Sequence, residues 1–289
     1  MTMTLARYYE PAPGELLWHY CSGRTFYEIC TKKTLRFSDL TAMNDFLEVV
    51  WGFEVWKKAS SLLEEEVGAE FIHTIRKVVL GAGMNCLITA CCFSTDGDVL
   101  SQWRAYADDG AGYAIGFDAR SLLGLPVRPL RVEYDDEKQL REVTSFIRSI
   151  KSVENSVSKK FSDDFERNCG EFAFDLSAYK NPAFREEKEV RLTHLLTYEE
   201  SGERLKLSDP GGHDQDGNQL ESNPIQFRMT ESRPIPFIDI DFTSLSDGNP
   251  IRKIIFGPKN RNEERPISLF LETIGLCGIE LITSDASYR

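Results

Sequence analysis

The stretch CLITACCFS, residues 86–94, is an apolar run whose length and β-branched content predict a buried strand. Short runs of similar character precede and follow it, and glycine, proline or polar residues bound most of them. The further predicted strands are ELLWHYCSG, TLRFSDL, GYAIGFD, PLRVEYDD, EVRLTHLL, QFRMT, PFIDIDF, IRKIIFGP and GIELITS. The chain therefore has enough strands for a large sheet.

Helical patterns lie between these strands. FYEICTKK predicts a short helix, and Asn44 is a typical N-cap, with Asp45 in the first turn of a longer helix. A second helix should end near the glycines of GAG at 81–83. Another is expected from about Glu263 to Ile274, before the last strand. Helices and strands do not alternate regularly, which favours the α+β class with a mixed, mainly antiparallel β core.

Two longer segments differ from the rest of the chain. Residues 137–180 carry apolar residues at helical spacing, which predicts a helical insertion. Residues 199–225 are polar and rich in glycine and aspartate, which predicts a long, mobile surface loop. With no repeat and no low-complexity tract, we expect a single α+β domain over residues 1–289.

Composition excludes several classes of protein. The 289 residues are 41% hydrophobic, enough for a substantial core, and the net charge of −12 argues against generic nucleic-acid binding. No apolar run is long enough to span a membrane, and the N-terminus lacks the apolar core of a signal peptide. The seven cysteines are scattered, which predicts reduced thiols in a cytoplasmic protein.

Common catalytic motifs are missing from the sequence. The four histidines lie far apart, and there is no HxxxH or CxxC pair, so we expect no metal site. GAGMNC lacks the Lys-Ser/Thr that would complete a phosphate-binding loop, and no GxSxG is present. The chemistry must therefore rest on less familiar groups.

The first candidate is His19 in WHYCS, flanked by Trp18 and Tyr20. A lone histidine in an aromatic setting is usually a buried side chain that makes one hydrogen bond. The alternative is a histidine that presents a ring N–H to a sugar or phosphate oxygen.

The second candidate is SQWRAYADDG, where Trp103, Arg104 and Tyr106 combine aromatic rings with a cation. One interpretation is a packed helix in which Arg104 pairs with Asp108. The other is a nucleotide site, where the rings stack on a base and the guanidinium neutralises pyrophosphate.

The third candidate is NPAFREEKEVRL, residues 181–192. On a strand, Glu189 and Arg191 share one face, while His194 lies on the opposite face. Glu187 joins Glu189 if the extended geometry begins that early. The segment is either an exposed strand edge with one Glu–Arg pair, worth little, or a site with two carboxylates and a guanidinium.

Several stretches together resemble a bacterial family known as domain of unknown function 2971. The resemblance extends nearly from end to end, and the family name implies no activity. The matching stretches are LWHYCS, LRFSDLTAMNDFLE, CFSTDGDVLSQWRAYADDGAGYAIGFD, KNPAFREEKEVRL, IRKIIFGP and ITSDASYR.

The opening HYCSGRTFYEICTKKTLRFS is also similar to the start of ADP-ribosyltransferases. That resemblance implies a split, mixed β core that binds NAD as substrate and a triad of residues. His19 matches the first position, and Glu189, with Glu187 two residues earlier, matches the last. Tyr113 or Tyr106 would occupy the middle position, and the sequence leaves that choice open.

The activity implied is cleavage of the nicotinamide–ribose bond of NAD, with transfer of ADP-ribose to an unidentified acceptor. Glu189 and Glu187 would be the catalytic carboxylates, and the setting would be a bacterial toxin or phage defence. The alternative is a non-catalytic module that binds a nucleotide-type small molecule or a partner protein. The residues predicted to contact the nucleotide are His19, Tyr20, Asn44, Asp45, Trp103, Arg104, Tyr106, Tyr113 and Arg191.

Overall fold

The chain passes repeatedly between strands and helices of very different length. The computed structural model describes residues 7–43, 47–201, 204–213, 217–243, 245 and 248–288. The strands are β1 (Leu16–Cys21), β2 (Thr34–Asp39), β3 (Cys86–Ser94), β4 (Tyr113–Asp118), β5 (Arg128–Arg131), β6 (Glu189–Ser201), β7 (Arg204–Ser208), β8 (Gly212–His213), β9 (Gln219–Leu220), β10 (Gln226–Met229), β11 (Pro234–Asp241), β12 (Ile251–Phe256) and β13 (Glu280–Thr283). The helices are α1 (Gly23–Lys32), α2 (Leu47–Val67), α3 (Ala69–Asn85), α4 (Leu100–Tyr106), α5 (Ala119–Leu122), α6 (Asp136–Ser156), α7 (Asp163–Asp175) and α8 (Glu264–Thr273).

One large sheet organises the molecule. Its main path is β10-β11-β2-β3-β1-β4-β12-β13, and β6 joins at β3 and carries β5 and β7. The β12–β13 pair is parallel, whereas the other pairs in this sheet are antiparallel. The predicted α+β class with a mixed, mainly antiparallel core is therefore confirmed.

The sheet divides at β3. Along its whole length one edge of β3 pairs with β6, from Cys86 opposite Thr197 to Ser94 opposite Glu189. The other edge must then serve two strands. Its middle pairs with β2, and its end at Ser94 pairs with Trp18 of β1. Two branches of the sheet, one beginning with β2 and the other with β1, diverge from this shared edge of β3. We call the place where they diverge the fork.

A second layer consists of helices. The predicted insertion corresponds to α6, α7 and the short 3₁₀ helix Leu176–Ala178, and these pack against α2 and α3 in a core of their own. Phe146 of α6 and Phe172 of α7 stack with ring centroids 3.8 Å apart. The sheet packs around a separate apolar core that includes Leu17, Phe37 and Ile254. None of the described helices is long and apolar enough to cross a membrane.

The polar segment 199–225 differs from the expected loop. It contains the end of β6 and strands β7, β8 and β9. Its Asp209 is buried and accepts hydrogen bonds from backbone and side chain of Asn223, which fixes the segment to the body. Short strands thus occupy part of the predicted loop, because polar side chains also pair across neighbouring strands, and the predicted mobility stays a prediction.

Two other expectations concern the first long helices. The helix predicted to end near GAG, α3, ends two residues beyond it, at Asn85. Asn44 and Asp45 lie outside the described residues, so their predicted roles as N-cap and as pocket residues stay predictions.

Candidate functional site

A cleft of about 760 Å³ lies at the fork. Side chains of β1, β2 and β3 line it, together with α1, Tyr106 at the end of α4, and the segment from Lys180 to Glu189. Its volume falls in the range of small-molecule sites, about 300–1,000 Å³. The fork thus produces a concave surface where a continuous sheet would be flat.

His19 closes the fork from the β1 side. Its Nδ1 lies 3.0 Å from the backbone oxygen of Cys92, at a part of the β3 edge between the two branches. A carbonyl oxygen only accepts hydrogen bonds, so Nδ1 carries the proton. Burial lowers the pKa of His19, so the ring is neutral at pH 7. The expected ring N–H for a ligand is therefore replaced by an acceptor, Nε2, which has no partner among the described residues.

Glu189 begins β6 and is held from two sides. Arg191 donates from Nε to Oε1 at 2.6 Å and from Nη2 to Oε2 at 3.0 Å. Lys180 Nζ lies 3.1 Å from Oε2. Burial alone would raise the pKa of Glu189, but Arg191 and Lys180 outweigh it and hold that pKa at about 2. The group is a fixed anion at the cleft wall.

Arg191 pairs with the Glu189 carboxylate and does not itself line the cleft. It shares the face of β6 with Glu189, as strand alternation predicts, and its side chain is 0% exposed. Its Nη1 donates to the backbone oxygen of Ser177 at 2.5 Å. Arg191 does not line the cleft, so its burial disfavours the predicted contact with a ligand's pyrophosphate, which stays a prediction.

Glu187 reaches the same cluster by another route. It ends a 3₁₀ helix, Pro182–Glu187, so the extended geometry does not begin that early. Lys188 follows with φ 46°, and this left-handed residue turns the chain into β6. Lys180 Nζ lies 2.5 Å from Glu187 Oε2, so one ammonium bridges Glu187 and Glu189.

The pKa values of the two carboxylates are shifted in opposite directions. Burial raises the pKa of Glu187, and the nearby Lys180 only partly opposes this. The pKa of Glu189 is lowered instead, because Arg191 adds a second cation there. Neighbouring carboxylates whose pKa values are shifted in opposite directions are typical of acid–base sites.

Tyr106 completes the cluster. Its hydroxyl donates to Glu187 Oε1 at 3.0 Å, and burial raises its pKa, so the proton stays on the oxygen. The ring remains 36% exposed, and Phe184 opposite is 37% exposed. Both rings line the cleft and are accessible to a flat ligand.

Several predicted stacking residues lie elsewhere. Trp103 is 0% exposed and donates from Nε1 to Asp98 at 2.6 Å. Tyr113 is buried in the sheet core, where it stacks on Phe26 at 4.2 Å between centroids. Neither ring can stack on a ligand in the cleft, and Tyr113 cannot occupy the middle triad position there.

Two further predictions change in role. Arg104 is exposed outside the cleft, with its guanidinium carbon 5.7 Å from the centre of the Tyr288 ring. Tyr20 lines the cleft, but its hydroxyl donates to the Asp96 oxygen and accepts from Val99 N, both at 2.9 Å. Tyr20 thus holds the loop after β3, and its hydroxyl is already used within the protein.

Lys180 and Phe184 were missed by the sequence reasoning. Phe184 lies inside the stretch that was singled out, and Lys180 directly precedes it. An aromatic residue between a lysine and two glutamates could have signalled the cluster. No group of three or more His, Cys, Asp or Glu within the described ranges could hold a metal ion.

Comparison with known proteins gives one match. Residues 102–192 match the family model described as Protein of unknown function (DUF2971), which confirms that resemblance over this stretch. No curated protein and no solved structure matches the chain. The matched stretch contains Tyr106, Lys180, Glu187 and Glu189, but not His19 or the β2 wall of the cleft.

Proposed function

We propose that the cleft binds an NAD-type dinucleotide, and that the protein cleaves the nicotinamide–ribose bond and transfers ADP-ribose to an acceptor. The observation that carries the proposal is the pair of carboxylates, Glu187 and Glu189, bridged by Lys180 at the cleft wall. One is held as an anion and the other has a raised pKa.

The reaction uses the two carboxylates in different roles. As the C–N bond breaks, nicotinamide leaves with the electron pair and positive charge develops on the ribose. Glu189, already ionised and oriented by Arg191, stabilises that charge without reorganising. The acceptor's lone pair then forms the new bond to the same carbon. Its proton passes to the ionised form of Glu187, whose raised pKa suits a general base near neutral pH.

Other cleft groups suit the rest of the ligand. His19 Nε2 would accept a hydrogen bond from a ribose hydroxyl. Phe184 or Tyr106 would stack on a nucleotide ring. Tyr106 is then the remaining candidate for the middle position of the triad.

The fork offers independent support. The resemblance to ADP-ribosyltransferases implies a split β core, and the described sheet divides at β3, with His19 and Glu189 on strands that pair with it. The cytoplasm is the proposed location, since all seven cysteines are free thiols. The acceptor and a role in toxicity or phage defence belong to the same proposal.

The test is nicotinamide release from NAD by the purified protein, with and without cell lysate. Glu189→Gln should lower the rate about a hundredfold or more, because one preformed electrostatic group is removed. Glu66→Gln is the matched control, since Glu66 forms an exposed pair with Arg148 far from the cleft. Stimulation by lysate would indicate a macromolecular acceptor.

A second candidate is a non-catalytic nucleotide-binding module. This candidate is favoured because both carboxylate oxygens of Glu189 already bond to protein cations. Calorimetric titration with NAD separates the two. Binding with no release in any protein would support the module, whereas no binding and no release would sink both.

A further inference from the structure

The far end of the cleft is basic. Four cations line it: Arg24 and Lys32 on α1, Arg36 on β2 and Arg228 on the edge strand β10. The chain as a whole carries a net charge of −12. A basic surface in an acidic protein is therefore a local feature, which composition alone would not predict.

Two of these cations are neutralised within the protein. Lys32 lies 2.5 Å from Glu28 one helical turn away. Arg36 makes two bonds to Asp239, at 2.8 and 2.9 Å, and its guanidinium carbon lies 3.8 Å from the centre of the Phe237 ring. These pairs leave little charge for a ligand.

Arg24 and Arg228 are different. Neither has an acidic side chain within 4.0 Å among the residues described, although both line the same cleft. They come from parts of the chain about 200 positions apart, so the fold alone brings them to one cavity. Two unpaired guanidinium groups facing one space favour a ligand with two negative charges or a bridging anion.

We infer that the cleft takes a phosphorylated ligand, whose phosphate or pyrophosphate binds Arg24 and Arg228 while its sugar faces Glu187 and Glu189. The inference rests on the proposed function in using the same cleft, and it assigns the two residues that hold the ligand's phosphates. A carboxylate pair alone would serve a neutral glycoside equally well. The guanidinium pair selects against neutral glycosides.

The test uses binding, so that it does not depend on turnover. ADP, inorganic pyrophosphate and the neutral nucleoside adenosine are titrated calorimetrically into the wild type and the double variant R24Q/R228Q. ADP and pyrophosphate should bind the double variant at least about tenfold more weakly, because charge-assisted hydrogen bonds are lost. Adenosine should bind both proteins with equal affinity. Added salt should weaken the binding of ADP and pyrophosphate but not that of adenosine.

Arg104→Gln supplies the matched control, since it removes an exposed guanidinium outside the cleft. It should leave ADP affinity unchanged. Equal ADP affinity in wild type and R24Q/R228Q, with the fold intact by circular dichroism, would overturn the inference. So would a loss of ADP affinity in Arg104→Gln of the same size as in the double variant.

The binding test and the proposed function can fail separately. Arginine-dependent ADP binding without nicotinamide release would keep the phosphate site and reject the transferase. If NAD is turned over, R24Q/R228Q should raise KM and leave kcat nearly unchanged, since both ground and transition states lose the same contact. Turnover with KM unaffected would keep the transferase and reject the phosphate site.

Discussion

Two positions on β6, Glu189 and His194, each belong to a buried side-chain pair, yet they have different surroundings. At the start, Glu189 pairs with Arg191 and lines the cleft. Five residues on, the ring nitrogen Nε2 of His194 lies 2.7 Å from Asp209, and Nδ1 lies 2.7 Å from the Pro126 oxygen. Asp209 also accepts from Gly211 N and from Asn223, so protein donors surround it.

The difference shows what separates a binding site from a structural polar cluster. Burial and a shifted pKa occur at both positions, since His194 and Asn223 outweigh the effect of burial and hold the pKa of Asp209 below its ordinary value. Beside Glu189 lie a cavity, a second carboxylate and exposed aromatic rings. A cluster of ionisable groups beside an open cavity identifies the candidate site better than a shifted pKa alone.

The largest expected effect comes from Arg191→Met. It leaves Glu189 buried with Lys180 as its remaining cation, and should lower the free energy of unfolding by about 3–5 kcal/mol. Urea unfolding measures this. The double variant Glu189→Leu/Arg191→Met should regain most of the loss, because no uncompensated charge remains. If the free energy of unfolding of Arg191→Met lies within about 1 kcal/mol of the wild-type value, Lys180 alone is enough to stabilise the buried carboxylate.

Asp209→Asn tests the second pair, that of His194 with Asp209. It weakens hydrogen bonds from His194 and Asn223 and should cost about 1–3 kcal/mol of unfolding free energy. Nicotinamide release and ADP affinity should stay at wild-type values below the unfolding transition. If nicotinamide release or ADP affinity falls as it does in Glu189→Gln, the two positions on β6 are coupled and the distinction between them is lost.

The pH dependence of stability should have opposite signs for the two cleft carboxylates. The pKa of Glu187 is raised from 4.5 on folding, so its favourable contribution is present below 4.5 and is lost as pH rises through the folded value. The pKa of Glu189 is lowered to about 2, so its contribution is present above 4.5 and is lost as pH falls toward 2.

Urea unfolding from pH 3 to pH 8, at steps of about one unit, measures both contributions. Relative to wild type, Glu187→Gln should gain stability as pH rises above 4.5. Glu189→Gln should lose stability relative to wild type as pH rises from 3 to 4.5, and the difference should stay level above 4.5. Parallel curves for the two variants would contradict the opposite shifts.

The smallest effect is expected from Tyr106→Phe. The Tyr106 hydroxyl lowers the pKa of Glu187, so its removal should raise that pKa further and move the rising limb of the pH–rate profile to higher pH. A shift of a fraction of a unit and a rate loss of a few fold are expected, since one neutral hydrogen bond is lost. Tyr27→Phe, an exposed tyrosine that does not line the cleft, should leave the profile unchanged.

Much of the fold could be predicted from local pattern. Each strand predicted from a short apolar or alternating run is present, because residues that alternate or stay apolar over a few positions fit a pleated sheet. The pairing of Glu189 with Arg191 followed from the two-residue period of a strand. Such features depend on neighbours in the sequence.

The rest depends on turns and strand pairings that a local pattern does not reveal. Lys180, two residues before Pro182, joins the carboxylates only because a 3₁₀ helix and a left-handed residue fold back on it. The pairing of Arg36 with Asp239 and the lack of such a partner for Arg228 appear only once β2, β11 and β10 lie side by side. Trp103 was wrongly predicted to contact a ligand because tryptophan occurs both in apolar cores and in binding sites, and the sequence does not separate the two.

The fork also sets when during synthesis the cleft can exist. Its floor needs β3 beside β6, and its basic end needs β2 beside β11, which places Phe237 opposite Ser38. These partners are separated by some 100 to 200 residues, and such distant pairings form slowly. A ribosome-bound chain cannot complete the cleft before β11 has emerged. Any activity of this cleft is therefore withheld from the nascent chain, with no separate inhibitor required during synthesis.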